Sequence, residues 1–239
     1  MTPAATPAGL QPPVLTAIGD NAVRVAFGDR IDDDIFARVR ALDRALELAP
    51  PPGLAFVIPA YASVTVAFDP LATDHQAVLA HLESLLPAVA RAATEAAMAG
   101  QAFTVPICYD REFSPDLDAV AAAKGISREA AIAAHLAGNY RVYMFGFAPG
   151  YAYLGGVPPE IQVPRKPAPV RGIPKGRVII AGPQCIIQTQ TMPTGWWVIG
   201  HSPFRVFDAR SNEPFTFAIG DSVRFQRIDR GELDRLERQ

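Results

Sequence analysis

The chain is poor in cysteine, in charge and in long apolar runs. Two cysteines, Cys108 and Cys185, among 239 residues leave no disulfide framework and no C-x-x-C metal pair. That usage points to a reducing cytoplasm. No apolar run approaches the ~20 residues of a membrane helix, so no membrane association is expected. The opening MTPAATPAGLQPP has no basic residue and no apolar stretch. It reads as a disordered lead-in over residues 1–13 rather than a secretory signal. Charged residues make up 19% and the net charge is −2, which argues against generic nucleic-acid affinity. The 49% hydrophobic content suffices for a core and excludes a disordered chain. The 23 prolines follow no repeat, which excludes collagen-like and low-complexity readings. At roughly 100–200 residues per domain, the length suits one large or two small domains.

Acid is also missing locally. Residues 1–110 carry 6 basic against 12 acidic side chains, and residues 111–239 carry 16 against 12. Between Glu160 and Asp208 there is no acidic residue, while Arg165, Lys166, Arg171, Lys175, Arg177 and Arg205 lie in that window. A stretch of like charge repels itself. It is a solvated surface, a partner for the acids of the N-terminal half, or the face that meets an anionic ligand or acidic partner.

The periodicity predicts strands at 14–18 and 22–27 around a Gly19-Asp20-Asn21 turn, and a helix over 32–48 with apolar residues at helical spacing. The run Pro50-Pro51-Pro52-Gly53 ends it. Strands follow at 54–58 and 63–68, then a long helix over 74–99, interrupted at Pro87. The order β-β-α-β-β-α is an α+β unit with helices on one face of a sheet, with its boundary near Gly100. Beyond it come a strand at 102–109, a short helix opened by Ser114-Pro115, and a helix capped by Ser127 and ended by Gly138. From Tyr140 onward short strands recur, at 141–145, 177–181, 185–190, 196–199, 205–207 and 222–228. This spacing suggests a β-barrel or sandwich over 101–229. A charged tail, a frayed helix, fills 230–239.

Most familiar catalytic patterns are absent. The helix pair over 115–137 mimics a helix-turn-helix, but its second helix offers mainly alanine where base-reading side chains are needed. His75, His81, His135 and His201 form no HxxxH or HExxH, so no metal site is expected. GxSxG and GxxxxGK[ST] do not occur. Cys185, beside Ile186 and Ile187, reads as a buried inert thiol.

Three clusters stand out. Residues 145–156, FGFAPGYAYLGG, bring Phe147, Pro149, Gly150 and Tyr151 together. Glycines there allow close backbone approach, and aromatics can wall a pocket. The second cluster, PRKP with RGIPKG, holds Arg165, Lys166, Arg171, Lys175 and Gly176. Its prolines restrict the loops that carry the cations, and arginine suits carboxylate or phosphate. The third, PTGWWVIGHSP, adds Thr194, Gly195, Trp196 and the imidazole of His201, which can exchange a proton near neutral pH. These residue types suit an anionic ligand and do not by themselves name a reaction.

In this order the clusters resemble the family of the B-type component of prokaryotic 5-oxoprolinase, also called allophanate hydrolase subunit 1 or carboxyltransferase subdomain C/D, which includes the Kip inhibitor. The matching stretches are PAYASVTVAFDP, PICYDREFSPDLDAVAAAKGIS with His135, YRVYMFGFAPGYAYLGG, VPRKPAPVRGIPKGRVIIAGPQ, PTGWWVIGHSP and GDSVRF. They span about Val14 to Phe225.

The resemblance implies a ferredoxin-like domain over 14–100 and a cyclophilin-like β-barrel over 101–229. It implies partnership with C-type and A-type subunits in ATP-dependent opening of 5-oxo-L-proline to L-glutamate. ATP with Mg2+ would bind at a site possessed by this chain or shared with a partner. Arg165, Lys175 and His201 are the candidate catalytic residues. Phe147, Pro149, Gly150, Tyr151, Lys166, Arg171, Gly176, Gln184, Thr194, Gly195 and Trp196 are the candidate binding residues. The pattern departs at Met192–Trp196, at the Gln184–Thr189 strand and at the Gly200–Pro203 turn. These departures leave open a related urea- or guanidine-type carboxylation or hydrolysis system. The Kip-inhibitor resemblance leaves open a module that inhibits a sensor histidine kinase.

Overall fold

The computed structural model describes residues 11–95 and 100–238. The chain forms two compact units, one up to Met98 and one from Ala99. The expected lead-in, as far as residue 10, and the last four residues of the long helix expected over 74–99 lie outside the described residues. No helix of the described residues is long and apolar enough to cross a membrane.

The first unit runs β1 (Val14–Ile18), β2 (Ala22–Ala26), α1 (Asp33–Leu48), β3 (Leu54–Pro59), β4 (Ser63–Phe68) and α2 (His75–Glu95). Its sheet is antiparallel in the order β1-β2-β4-β3. Val23, Val25, Val64 and Val66 alternate onto one face and are buried, as period-two patterning requires. The Asp32 carboxylate accepts from the Asp34 and Ile35 amides and starts α1, satisfying two of its free N–H groups. The expected break at Pro87 is absent, and α2 passes through it unbroken. The lost hydrogen bond is outweighed by the apolar stripe of Val78, Leu82 and Val89, which is buried. The order differs from the ferredoxin-like β-α-β-β-α-β. The strand beside β2 on the outer side is β1, from the N-terminal end.

The second unit contains β5 (Ala102–Ile107), α3 (Leu117–Ala123), α4 (Arg128–Ala137), β6 (Tyr140–Phe145), β7 (Ala152–Gly155), β8 (Val170–Ile173), β9 (Arg177–Ala181), β10 (Gln184–Ile187), β11 (Met192–Thr194), β12 (Trp197–His201), β13 (Ser222–Arg227) and α5 (Arg230–Glu237). Seven strands form one sheet in the order β12-β9-β10-β7-β6-β13-β5, and β8 and β11 form a separate hairpin. The two edge strands meet just beyond β5. The Cys108 amide donates to the His201 carbonyl at 2.8 Å, and the His201 amide donates to the Cys108 carbonyl at 3.0 Å. This seam makes the sheet a nearly closed, barrel-like structure.

Val178, Ile180, Cys185, Ile187, Leu154 and Ile199 pack in the main core. Their neighbours Ile179, Ala181, Ile186 and Val198 turn to the other face, where they pack with Tyr151 and Trp196. Burial on both faces explains the continuous apolar runs in β9 and β10.

Several expectations change. Ser114 does not cap α3. Its hydroxyl donates to the Tyr109 and Asp110 carbonyls, and α3 begins after Asp116. Ser127 caps α4 as expected, accepting from the Ala130 amide. Residues 205–207 form no strand; a single bridge joins Phe207 to Phe215. The short strands β7, β8 and β11 are additions. The tail is a capped helix rather than a frayed one: Asp229 accepts from the Glu232 amide, and Leu233 is fully buried.

His135 of α4 lies in the core, its Nδ1 2.7 Å from the Tyr109 hydroxyl. Burial pushes its pKa down to about 3. The unfolded chain therefore takes up this proton first, near pH 6.5, and folding stability falls as pH drops from there. This group alone contributes a slope approaching about 1.4 kcal/mol per pH unit below pH 6.5. Urea unfolding at pH 7 and pH 5 should show a smaller loss in His135→Gln than in the natural chain.

Candidate functional site

The site is built where the seam, the start of β9 and the loop between β6 and β7 come together. That loop closes on itself, with the Gly146 amide bonded to the Tyr151 carbonyl at 3.2 Å. Phe147 sits at its tip with φ +67° and is 80% exposed. Left-handed backbone at a bulky residue is a strained arrangement found at functional sites. Gly150 also has positive φ, and a Cβ there would overlap Phe207.

From Phe147 the aromatics form a ladder. Ring centroids are 5.6 Å apart from Phe147 to Tyr151, 5.8 Å from Tyr151 to Tyr153 and 6.0 Å from Tyr153 to Trp196. Tyr151 and Trp196 are buried, so the ladder runs from solvent into the protein. Burial raises the Tyr153 phenol pKa, and the exposed Arg165 guanidinium opposes that rise. Gly195 lies against Arg165, and the Thr194 hydroxyl accepts from the Trp196 amide at 3.1 Å.

Lys166 has a different place from Arg165. Its amide donates to the Gly195 carbonyl at 2.7 Å. Its ammonium sits 2.5 Å from Asp116 Oδ2, with the side chain 12% exposed. The same carboxylate oxygen accepts from the Val198 amide at 2.7 Å. Trp197 Nε1 donates to the Pro164 carbonyl at 2.7 Å. Lys166 thus ties the 164–166 segment to β12.

Below this lies a cavity of about 640 Å3, whose wall includes Lys175, Gly176, Gln188, His201, Arg205 and Glu237. Gly176 takes φ +79° and lies against the His201 ring, where a Cβ would come within 3.0 Å of Nδ1. His201 stacks on Phe113 at 5.3 Å, and its Nε2 is 2.7 Å from Glu237 Oε1. Burial lowers the His201 pKa, Glu237 opposes the shift and Arg177 reinforces it. The ring is neutral at pH 7, and its Nε2–H donates to the carboxylate, since an ionised carboxylate only accepts. The loop and the cavity are joined by the Thr189 hydroxyl, which donates to the Pro149 carbonyl at 2.9 Å, and by Phe207, a cavity residue packed on Gly150.

The structure therefore brings Lys175, Gly176 and His201 into one cavity. Phe147, Pro149, Gly150, Tyr151, Thr194, Gly195, Trp196 and Arg165 lie along the adjoining loop and ladder. Arg171 stands exposed on β8. Gln184 starts β10 opposite Gly155 and Ala181, at the far end of that strand from the cavity residue Gln188. Sequence reasoning passed over Gln188, Arg205 and Glu237 as site residues. Arg205 lay in the acid-free window and Gln188 in an expected strand; nothing marked Glu237, which only the packing of α5 brings to His201. Among the described residues no group of three or more His, Cys, Asp or Glu is placed to hold a metal ion.

A family model described as carboxyltransferase domain, subdomain C and D, matches residues 13–217. The chain is 37% identical over 221 residues to a Bacillus subtilis protein named as the B component of 5-oxoprolinase, an alignment covering 88% of this chain and 91% of that one. It is similar to the crystal structure of TTHA0988, with TM-score 0.74 and 33% identity over 88% of this chain, and spans 40% of that longer chain. The Kluyveromyces lactis urea amidolyase shares the fold, with TM-score 0.74 and 16% identity, over 95% of this chain and 16% of that one.

Glu237 is the group that holds the His201 pKa up against burial. Glu237→Gln should move the His201 titration to lower pH, followed by NMR of the imidazole ring protons. An upward movement would mean that the carboxylate does not act on this ring.

Proposed function

The chain belongs to the carboxyltransferase subdomain C and D family, and on that premise we propose that it is the B-type component of an ATP-dependent amide-opening hydrolase acting on 5-oxo-L-proline. The observation that carries this reading is the likeness to a 5-oxoprolinase component of that type over nearly the whole of both chains. In that assembly A-type and C-type subunits are the partners. Within it, the first unit is read as a rearranged ferredoxin-like layout and the second as a cyclophilin-like barrel.

The chemistry has a physical logic. A lactam carbonyl is a poor electrophile, and transfer of the γ-phosphoryl group of ATP to its oxygen, with release of ADP, activates its carbon. One water adds to that carbon, the ring C–N bond breaks with the nitrogen leaving as the amine, and a second water hydrolyses the resulting acyl phosphate to carboxylate and phosphate. Charge develops on the phosphoryl and carbonyl oxygens, and preorganised cations stabilise it. Arg165 beside the ladder and Lys175 in the cavity wall are the cations assigned to that task. Neutral His201 is assigned the proton transfer, and Phe147, Tyr151 and Trp196 wall the substrate. Lys175 and Arg205 fit a phosphate by charge. The described residues offer no acidic cluster for Mg2+, so the ion would come with the nucleotide or a partner subunit.

The test is affinity purification of the tagged chain, followed by an assay of 5-oxoproline-dependent ATP hydrolysis and glutamate release. Co-purification of A- and C-like subunits with that activity is expected. Arg165→Ala or Lys175→Ala should lower turnover of the complex about 100- to 1,000-fold while leaving thermal unfolding unchanged. A complex inactive on 5-oxoproline but active on a ureido or guanidino compound would favour the second reading, for which the altered turns at Thr194 and His201 speak. Absence of partners and activity would overturn both.

A further inference from the structure

Both nitrogens of the His201 ring are closed off. Nε2 is held by the Glu237 carboxylate at 2.7 Å, and Nδ1 is buried without a partner among the described residues. The side chain as a whole is 12% exposed. His201 therefore cannot exchange a proton with a molecule in the cavity while α5 stays docked. Two residues of that helix, Leu236 and Glu237, line the cavity themselves.

What holds α5 in place is slight. Its eight residues are too few for a helix to persist by itself, and Leu233 is its one buried side chain. The pairs Arg230–Asp234 and Arg235–Glu232 lie within the helix and do not tie it to the barrel. Arg230 also meets Glu112 and stands 4.8 Å from the Phe113 ring centroid. That outer ion pair is about half exposed, where such pairs contribute little. A short polar segment with so little buried apolar surface is the kind that opens locally. The charge of Glu237 has a cost of its own. It faces a wall in which Lys175 and Arg205 form no ion pair among the described residues, and in which the other acid, Asp208, is paired with Arg210. An anion drawn to those two cations shares the cavity with the Glu237 carboxylate, and the two repel each other.

We propose that α5 is an autoinhibitory strap: docked, its Glu237 carboxylate closes His201, and a multiply charged, phosphate-type anion bound by Lys175 and Arg205 releases it. Two free cations call for more than the single charge that α5 brings, so such an anion gains contacts that Glu237 does not make. Linkage makes the antagonism reciprocal: the anion loosens α5, and a docked α5 weakens the anion. The use of His201 in proton transfer rests on the function proposed above; the strap rests on the contacts of α5 alone.

The experiment treats the full chain, Leu233→Ala and Glu237→Ala with diethyl pyrocarbonate, which acylates an accessible neutral imidazole nitrogen, and reads the modified histidines by mass spectrometry. His201 should react at least about fivefold faster in both variants, the lower end of ordinary coupling between sites. His135, fully buried in the core, should stay unmodified throughout and so report that the barrel is intact. If Leu233→Ala exposes His135, Glu237→Ala decides. A second measurement is amide hydrogen exchange with inorganic pyrophosphate as the probe. Pyrophosphate should speed exchange over 230–237 about fivefold or more and leave β9 unchanged, and Lys175→Ala should remove the effect.

Equal His201 rates in the natural chain and the folded variants, or α5 exchange unmoved by pyrophosphate, would overturn the proposal. In the assembled complex Leu233→Ala should raise turnover. A fall in both Leu233→Ala and Glu237→Ala would make Glu237 a positioning residue for His201 and sink the strap. A complex that opens 5-oxoproline while His201 reacts equally in all three chains would remove the strap and leave the function standing. Faster modification and pyrophosphate-driven exchange in a complex inactive on 5-oxoproline would do the reverse.

Discussion

Two backbone hydrogen bonds between Cys108 and His201 join the edges of the seven-stranded sheet, and the site of the second unit hangs on that join. Without it, β5 and β12 would each present a bare edge to solvent. With it, His201 is held by its own main chain at the seam while its ring faces the cavity. Gly200 sits beside it because a Cβ there would press on Ile107 and come within 3.1 Å of the Cys108 carbonyl. The next links are also backbone. The Ser202 amide donates to Gly176 at 2.8 Å, the Gly176 amide to Gln188 at 2.7 Å, and the Gln188 amide to Arg177 at 2.9 Å. The cavity wall is thus an extension of the sheet's hydrogen bonding.

The second constraint is burial on both faces of β9, β10 and β12. The inner face fills the barrel core; the outer face carries the floor on which Tyr151 and Trp196 lie. An aromatic ladder that begins at exposed Phe147 is anchored by apolar packing at its inner end. Asp116 adds a polar pin. One carboxylate oxygen meets both Lys166 and the Val198 amide, so the cationic segment before β8 is tied to β12. A charge buried this far persists because it is paired and hydrogen-bonded. Lys166 and Arg165, adjacent in sequence, therefore differ in kind: one spends its charge inside the protein and the other offers it at the surface.

Much of the local structure was legible in the sequence, because period, capping and turn residues act over a few positions. The strands at Val14–Ile18, Ser63–Phe68 and Arg177–Ala181, the α1 start at Asp32 and the cap at Ser127 follow from such rules. Where a rule failed, packing had overridden it. Pro87 did not break α2 because its apolar stripe is buried, and Ser114 bonded backward to Tyr109 instead of forward to the helix. The strands β7, β8 and β11, of three or four residues, are too short to show a period.

The sequence by itself determined the two-part α+β organisation, the acid-free cationic window and the motifs that place the chain in its family. Each is a property of composition or of residues close together in the chain. Only the tertiary structure decided which of those residues meet. It set Lys175 and His201 in one wall, sent Gln184 to the far end of its strand, and put Gln188 where its oxygen has no donor among the described residues. It also brought Glu237 against His201 across 36 residues of chain. Such meetings depend on sheet closure and helix docking, and those depend on contacts summed over the whole unit, which no local pattern encodes.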